Sequence, residues 1–392
     1  MTDTPADPDH RAADRGADVL LVGPIGAATG GIARYMDEQR DWLAGDLHVR
    51  VHDTSNAAGE GAVWFIAAFL RSLLRLATFP LRRRPEAVHV HSSHDLSFLL
   101  SAAYVLYAKH VWGVPVVFHI HGSSFDEFVT DPGPVVGRLQ RAVFDASDRV
   151  VVLSEYWRET LEREVPVAEG KLVVLPNAVD PREYDPRYGA DPPRLVFVAD
   201  HVERKGVAEL AAAADALAAD GVPFELAVAG TGPADHHLAD AADRNEEVEY
   251  LGYVSEAEKR RLLSEASLFV MPTYAEGLPI AMLEGMAGGD AVVSTAVGSI
   301  PEVIGEANGR LVDPGDADAL EAALRDLLDE PETVEAMGRE NRRLAEERYD
   351  WADIARRLRD LYAELGVAAA AADAASADDP AQSGSASIGV TE

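Results

Sequence analysis

Two glutamates eight positions apart, Glu276 and Glu284, lie in the segment YAEGLPIAMLEGMAGGD (274–290). On one continuous helix that offset leaves them about 80° apart after whole turns, so they do not share a face. Pro279 suits a first helical turn. Glu276 is therefore expected in the loop before a helix and Glu284 within it. Two carboxylates at different depths can accept hydrogen bonds from two separate sets of hydroxyl groups. The backbone N–H groups around Gly277, Leu278 and Ile280 can meet anionic or hydroxyl oxygens. The plainer alternative is an ordinary helix start with an acidic first turn.

Other chemistry-bearing residues also follow short apolar runs. In ADHVERKG (199–206), Arg204 and Lys205 stand just before a helix beginning near Gly206. Cations at a helix N-terminus oppose the helix dipole, and a bound phosphate would resolve the conflict; the alternative is a solvated lysine. In GPIGAATGGIARY (23–35), Gly30 and Gly31 precede a helix and allow close approach of a ligand to the backbone, though a plain tight turn explains them equally. Gly230 and Gly232 in GTGP form a similar turn. His119 and His121 alternate onto one side of their run, with His121 at its end. A hydrogen-bonding histidine at a cleft is the expected role of His121. No carboxylate follows at ligand spacing, so no metal is expected.

The elements that position these residues are legible as two series of β-type runs. The first is 19–23, 47–52, 87–91, 115–121, 149–154 and 171–177. The second is 194–199, 224–230, 248–252, 268–272, 291–295 and 309–313. Short, uniformly apolar strands alternating with helices describe parallel sheets covered on both faces, hence an α/β fold of two doubly wound, Rossmann-like domains. Ligands of such sheets bind beyond the carboxyl ends of the strands. Residues 178–193 hold four prolines and read as the linker between domains 18–177 and 194–350. A last helix, 351–366, is expected to cross back to the first domain. Residues 1–17 and 367–392 read as disordered tails.

The chain has 392 residues, no cysteine and a formal net charge of −32. Disulfides and thiolate metal sites are excluded, and nucleic acid is repelled. The polar opening suggests no signal peptide and a cytoplasmic protein. No spanning helix is expected. Residues 63–84, VWFIAAFLRSLLRLATFPLRRR, are apolar and basic within this acidic chain. They read either as an interfacial helix near anionic lipid or as a core-packing helix with a polar outer face. Scarce lysine with abundant Asp, Glu and Ala resembles proteins of high-salt cytoplasms, as in haloarchaea. Self-repulsion grows as screening falls, so the protein is expected to unfold or lose activity as salt drops from molar to about 0.1 M. Circular dichroism across a salt series checks this; full stability in dilute buffer contradicts it.

Taken together and in order, the Gly-Gly loop, His121-Gly122, PNAVD, Lys205-Gly206, GTGP, EGLPIAMLE and NGRLVDPGD resemble the family 4 glycosyltransferases over about residues 18–365. The resemblance implies a GT-B fold, two Rossmann-like domains facing across a cleft. It implies a retaining, metal-free transfer from a nucleotide-sugar donor, UDP- or GDP-linked, to a glycan or lipid-linked acceptor held by the first domain. It also implies roles: Glu276 at the donor sugar's hydroxyls, Glu284 at the ribose, Lys205 at the diphosphate with the Gly30-Gly31 amides. His121 is implied beside the moving sugar, and Gly277 and Leu278 as amide donors. One departure stands out. The family's usual arginine before Lys-Gly is replaced by Asp200, which repels phosphate; Arg204 or an arginine of the first domain is the expected substitute. Rival readings are an epimerase or phosphorylase on the same architecture, separable by sugar epimerisation without acceptor, and a non-catalytic sugar-binding subunit, which would bind donor without turnover.

Overall fold

The computed structural model describes residues 17–367, apart from 27–29, 56–58, 60, 166, 168 and 169. The expected tails lie outside the described residues except at their inner ends. There Ala17 and Val367 are buried in a core cluster.

Two six-stranded parallel sheets form the framework. The N-terminal sheet has strands β1 (Asp18–Gly23), β2 (His48–Asp53), β3 (Ala87–Ser92), β4 (Val116–Ile120), β5 (Arg149–Val152) and β6 (Leu172–Val174), in the order β2-β1-β3-β4-β5-β6. The C-terminal sheet has β7 (Arg194–Val198), β8 (Glu225–Ala229), β9 (Val248–Gly252), β10 (Leu268–Met271), β11 (Ala291–Thr295) and β12 (Gly309–Val312), in the order β12-β11-β10-β7-β8-β9. The central strands are buried on both faces, which is why they read as unbroken apolar runs rather than alternating ones.

The lobes are firmly joined. The chain passes from β6 into the linker, where Val179 pairs with Asp350 as an isolated parallel bridge. Arg342 donates to the carbonyls of Pro181 and Ala287, 2.8 and 2.6 Å away, and so clamps the linker to the C-terminal lobe. The last helix, Trp351–Glu364, returns to the N-terminal lobe. Its buried face, Trp351, Ile354, Leu358 and Tyr362, packs with Tyr35 and Met36 of the first helix, Gly31–Leu43.

The helix Gly61–Thr78 departs from two expectations. With its extension to Leu81 it is long and apolar enough to cross a membrane, although no spanning helix was expected. It links β2 to β3, which both pair with β1, so its two ends belong to one lobe and it cannot run through a bilayer. Nor does it have the polar outer face of a core-packing helix: Val63, Phe65, Ile66, Phe69, Leu70, Leu73 and Leu74 are exposed, while Ala68 and, just beyond the helix, Phe79 are buried and Leu76 packs against the core.

Candidate active site in the interlobe cleft

Beyond β10, Thr273 to Pro279 form the loop that enters the helix Ile280–Gly288. This places Glu276 in the loop and Glu284 in the helix, both nearly buried at 7% and 2% exposure. Glu276 accepts a hydrogen bond from Lys205 Nζ and another from Thr273 Oγ1 at 3.3 Å, and Arg204 Nη1 lies 3.5 Å away. The turn after β7 brings the two cations here because Gly206 adopts φ 72 with its Cα against the Pro272 carbonyl. A side chain at that position would clash with this backbone. Asp200 is exposed on the same turn, and the two cations beyond it face Glu276.

Glu284 meets a different set. Arg34 Nη2, from the first helix of the opposite lobe, lies 2.8 Å from it, and Lys259 Nζ lies 3.0 Å away. Burial works against the Arg34 charge, but Glu284 and then Glu256 outweigh it and hold its pKa above the ordinary arginine value. Arg34 is thus the first-domain arginine at the cleft, placed one turn into the helix that Gly30 opens at φ 111. Gly31 faces Ile280 of the other lobe, 3.9 Å from where its Cβ would stand.

His121 sits at the mouth of β4, where its backbone lies against Gly277. A Cβ on Gly277 would come within 3.0 Å of the His121 carbonyl oxygen. The imidazole Nε2 is 3.0 Å from His91 Nδ1, and the ring stacks on His119 at 4.0 Å. Burial pushes its pKa down to about 3, while a hydrogen bond with Asn177 works in the opposite direction. At neutral pH it is therefore a neutral hydrogen-bonding group. Asn177 Nδ2 also donates to the Leu278 carbonyl at 2.5 Å, and Trp157 Nε1 donates to the Gly277 carbonyl at 3.3 Å. The EGLP loop is thus fixed from the N-terminal lobe.

Gly230 and Gly232 have a packing role. Cβ atoms there would fall 1.8 Å from the Ala199 carbonyl oxygen and 2.2 Å from that of His201. They seat the β8 turn against the β7 turn that carries Arg204 and Lys205. Leu278 is likewise a buried core side chain. Arg34, Lys259 and Asn177 were not singled out from the sequence. Beside the cluster a cleft of about 860 Å³ opens between the lobes, lined by Ser123, Asp126 and Tyr156 on one side and Tyr274, Gly298 and Glu302 on the other.

The sequence profile described as glycosyltransferase family 4 matches residues 10–183, and the profile described as glycosyl transferases group 1 matches residues 192–330. The chain belongs to the family 4 glycosyltransferases. It is 29% identical over 240 residues to an MMP α-(1→4)-mannosyltransferase of Mycolicibacterium hassiacum, spanning 60% of this chain and 58% of that relative. It is 25% identical to the phosphatidylinositol N-acetylglucosaminyltransferase gpi3 subunit of Schizosaccharomyces pombe, covering 75% of this chain and 67% of that one. Its fold matches Anabaena Alr3699/HepE in complex with UDP-glucose at TM-score 0.67 and 14% identity, over 88% of this chain and all of the other.

In this site, Glu284→Ala is expected to weaken nucleotide binding and also to lower stability. Removing the buried carboxylate leaves Arg34 and Lys259 with the half-exposed Glu256 as their shared counter-charge, which costs roughly 1–3 kcal/mol. Glu284→Gln should keep most of the stability and still lose affinity. Thermal melting beside titration calorimetry with UDP and GDP separates the two effects; normal binding by both variants contradicts the assignment.

Proposed function

We propose that this glycosyltransferase moves a sugar, with retention of anomeric configuration, from a UDP- or GDP-sugar to a glycan or lipid-linked acceptor at the cytoplasmic membrane face. The observation that carries this is the convergence of Lys205 and Arg204 on Glu276 at the β7 and β10 strand ends. Cleaving an anomeric C–O bond needs stabilisation of the departing diphosphate and of an oxocarbenium-like sugar. Two cations at one spot offset the repulsion expected from Asp200. Glu276 between them is placed to accept hydroxyls of the moving sugar, and the neutral His121 supplies a further hydrogen bond on its other side. Glu284, with Arg34 and Lys259, fits the ribose end. These assignments require no metal in the transfer step.

The large cleft fits the acceptor's sugar end: carboxylates such as Asp126, Glu155 and Glu302 line it and suit neutral hydroxyl groups better than anions. A lipid-linked acceptor is supported by the exposed apolar helix Gly61–Thr78, with Arg71 on it and Arg82, Arg83 and Arg84 just beyond. In a chain of net charge −32, such a basic cluster beside an apolar face is matched to an anionic bilayer surface. The gpi3 relative, whose name refers to phosphatidylinositol, accords with that reading.

The test is a screen of labelled UDP- and GDP-sugars with a membrane lipid extract and with soluble glycans. Transfer to one acceptor class with the donor's anomeric configuration kept is the expected result. Sugar epimerisation without acceptor, or donor binding with no turnover on any acceptor, overturns the proposal.

A further inference from the structure

We propose that His89, His91 and His119 form a three-histidine site for a zinc-class divalent cation in the core of the N-terminal lobe. Strand geometry brings them together. His89 and His91 alternate onto one face of β3, and His91 pairs in register with His119 on the adjacent β4. All three are buried, and one ring nitrogen from each lies within 4.8 Å of the others. From sequence, His119 and His121 were the only pair in view and no metal was expected; β3 supplies the other two ligands.

The hydrogen bonding distinguishes a ligand set from simple stacking. His89 Nδ1 lies 2.6 Å from the Tyr362 hydroxyl and 3.3 Å from Gln39 Nε2, while its Nε2 is buried without a partner among the described residues. His91 Nδ1 lies 3.0 Å from His121 Nε2, and its Nε2 is likewise unpartnered. His119 has neither nitrogen bonded. His89 and His91 show the division characteristic of metal-bound histidines, with Nδ1–H donating to the Tyr362 hydroxyl and to His121 Nε2 respectively and Nε2 free for the ion, while the Gln39 amide donates to Tyr362. A purely stacked, neutral ladder leaves four buried nitrogens unsatisfied, at a cost of about 1–3 kcal/mol each; an ion engages three of them.

Zinc is the fitting class: imidazole suits it, and no thiolate or calcium-type oxygen cage is present among these residues. Bonds of about 2.0–2.1 Å require the ring nitrogens to draw closer than they now stand. His89 and His91 stack at 4.4 Å with only 10° between planes, so binding turns these rings about Cβ–Cγ until their lone pairs converge. Tyr35, whose buried hydroxyl also lacks a partner among the described residues, packs edge-on to His119 at 5.1 Å. The ion takes no part in transfer. Through the His91–His121 hydrogen bond it fixes the orientation of His121, making His91 a positioning residue.

The experiment uses the full chain with any affinity tag removed. The protein is stripped with a chelator, loaded with Zn²⁺ or Co²⁺ and gel-filtered, then assayed for metal content and for the visible absorption of tetrahedral cobalt. One equivalent of metal and a cobalt spectrum are expected. Both should be lost in His119→Ala and kept in His236→Ala, which changes an exposed histidine far from the site. Tyr362→Phe, which removes one partner of His89 Nδ1, should weaken affinity about 10- to 100-fold. Failure of the wild-type chain to retain either ion overturns the proposal whatever the variants do. So does equal retention by His119→Ala. Sugar transfer by stripped and reloaded protein is assayed separately: a lower rate without metal, restored by Zn²⁺, is expected from the His91–His121 link, and an equal rate overturns the positioning role of His91.

Discussion

Lys205→Ala is expected to lower turnover about 100- to 1000-fold, the usual consequence of removing one preorganised charge from a developing anion. The geometry adds a second effect. Lys205 is the main counter-charge of the nearly buried Glu276. Its removal leaves that carboxylate with Arg204 at 3.5 Å and the Thr273 hydroxyl, so the loop loses part of its anchoring as well. Lys205→Arg restores the charge but not the compact ammonium geometry, and should recover only part of the rate. Glu276→Ala should also impair turnover more than nucleotide binding, because its proposed contact is with the sugar that moves. Glu284→Ala should do the reverse, since ribose contacts are the same in ground and transition states. Calorimetric affinity for the free nucleoside diphosphate beside steady-state turnover decides the matter. If Glu276→Ala loses nucleotide affinity while Glu284→Ala keeps it, the roles are exchanged. If neither these nor Lys205→Ala alters transfer, the site lies elsewhere.

The strand framework was open to sequence reading because the central strands are buried apolar runs ended by turns, a signal local to a few residues. The different depths of Glu276 and Glu284 were legible for a related reason: Pro279 marks the helix start, and the eight-residue offset does the rest. Arg34 was not legible. It lies within GGIARY, three residues past glycines whose backbone drew attention, but its partner Glu284 is 250 positions away on the other lobe. Only the docking of one lobe on the other defines that pair. Asn177 and Trp157 are of the same kind, each donating across the cleft to a backbone carbonyl. Gly230 and Gly232 show that a glycine turn chosen in sequence for its approach to a ligand is also required for packing on a neighbouring turn, a contact that only the fold reveals. The histidine cluster was partly within reach. The alternation that aligned His119 with His121 aligns His89 with His91 in the same way. What sequence could not supply was that β3 and β4 are neighbours with His91 opposite His119.

Replacing Ile66, Phe69, Leu70 and Leu74 by serine is expected to abolish binding to phosphatidylglycerol-containing vesicles while leaving transfer to a soluble acceptor intact. These side chains are exposed and far from the cleft residues in sequence, so the fold has little to lose from their change. Fully burying one such side chain is worth about 1.5–3 kcal/mol, so four together dominate the association. The arginines contribute differently. Each cation near an anionic surface is worth about 1 kcal/mol, so Arg82, Arg83 and Arg84 changed to glutamine should weaken binding on the order of 100-fold at low salt. Salt separates the two contributions. The Debye length falls from about 10 Å at 0.1 M to about 3 Å at molar ionic strength, so between molar salt and the lowest salt at which circular dichroism shows the protein folded the arginine effect should shrink steeply while the serine effect persists. The expected result is therefore a matrix: serine variants defective at both salt concentrations, glutamine variants defective only at the lower one, and neither bound to neutral vesicles more tightly than the parent. Vesicle flotation with the wild type and both variants reads all of these outcomes. Unaltered flotation by the serine variant removes the membrane from this protein's function and points the apolar face toward a protein partner instead. Defects confined to the glutamine variant at both salts contradict the apolar contribution and leave only an electrostatic contact.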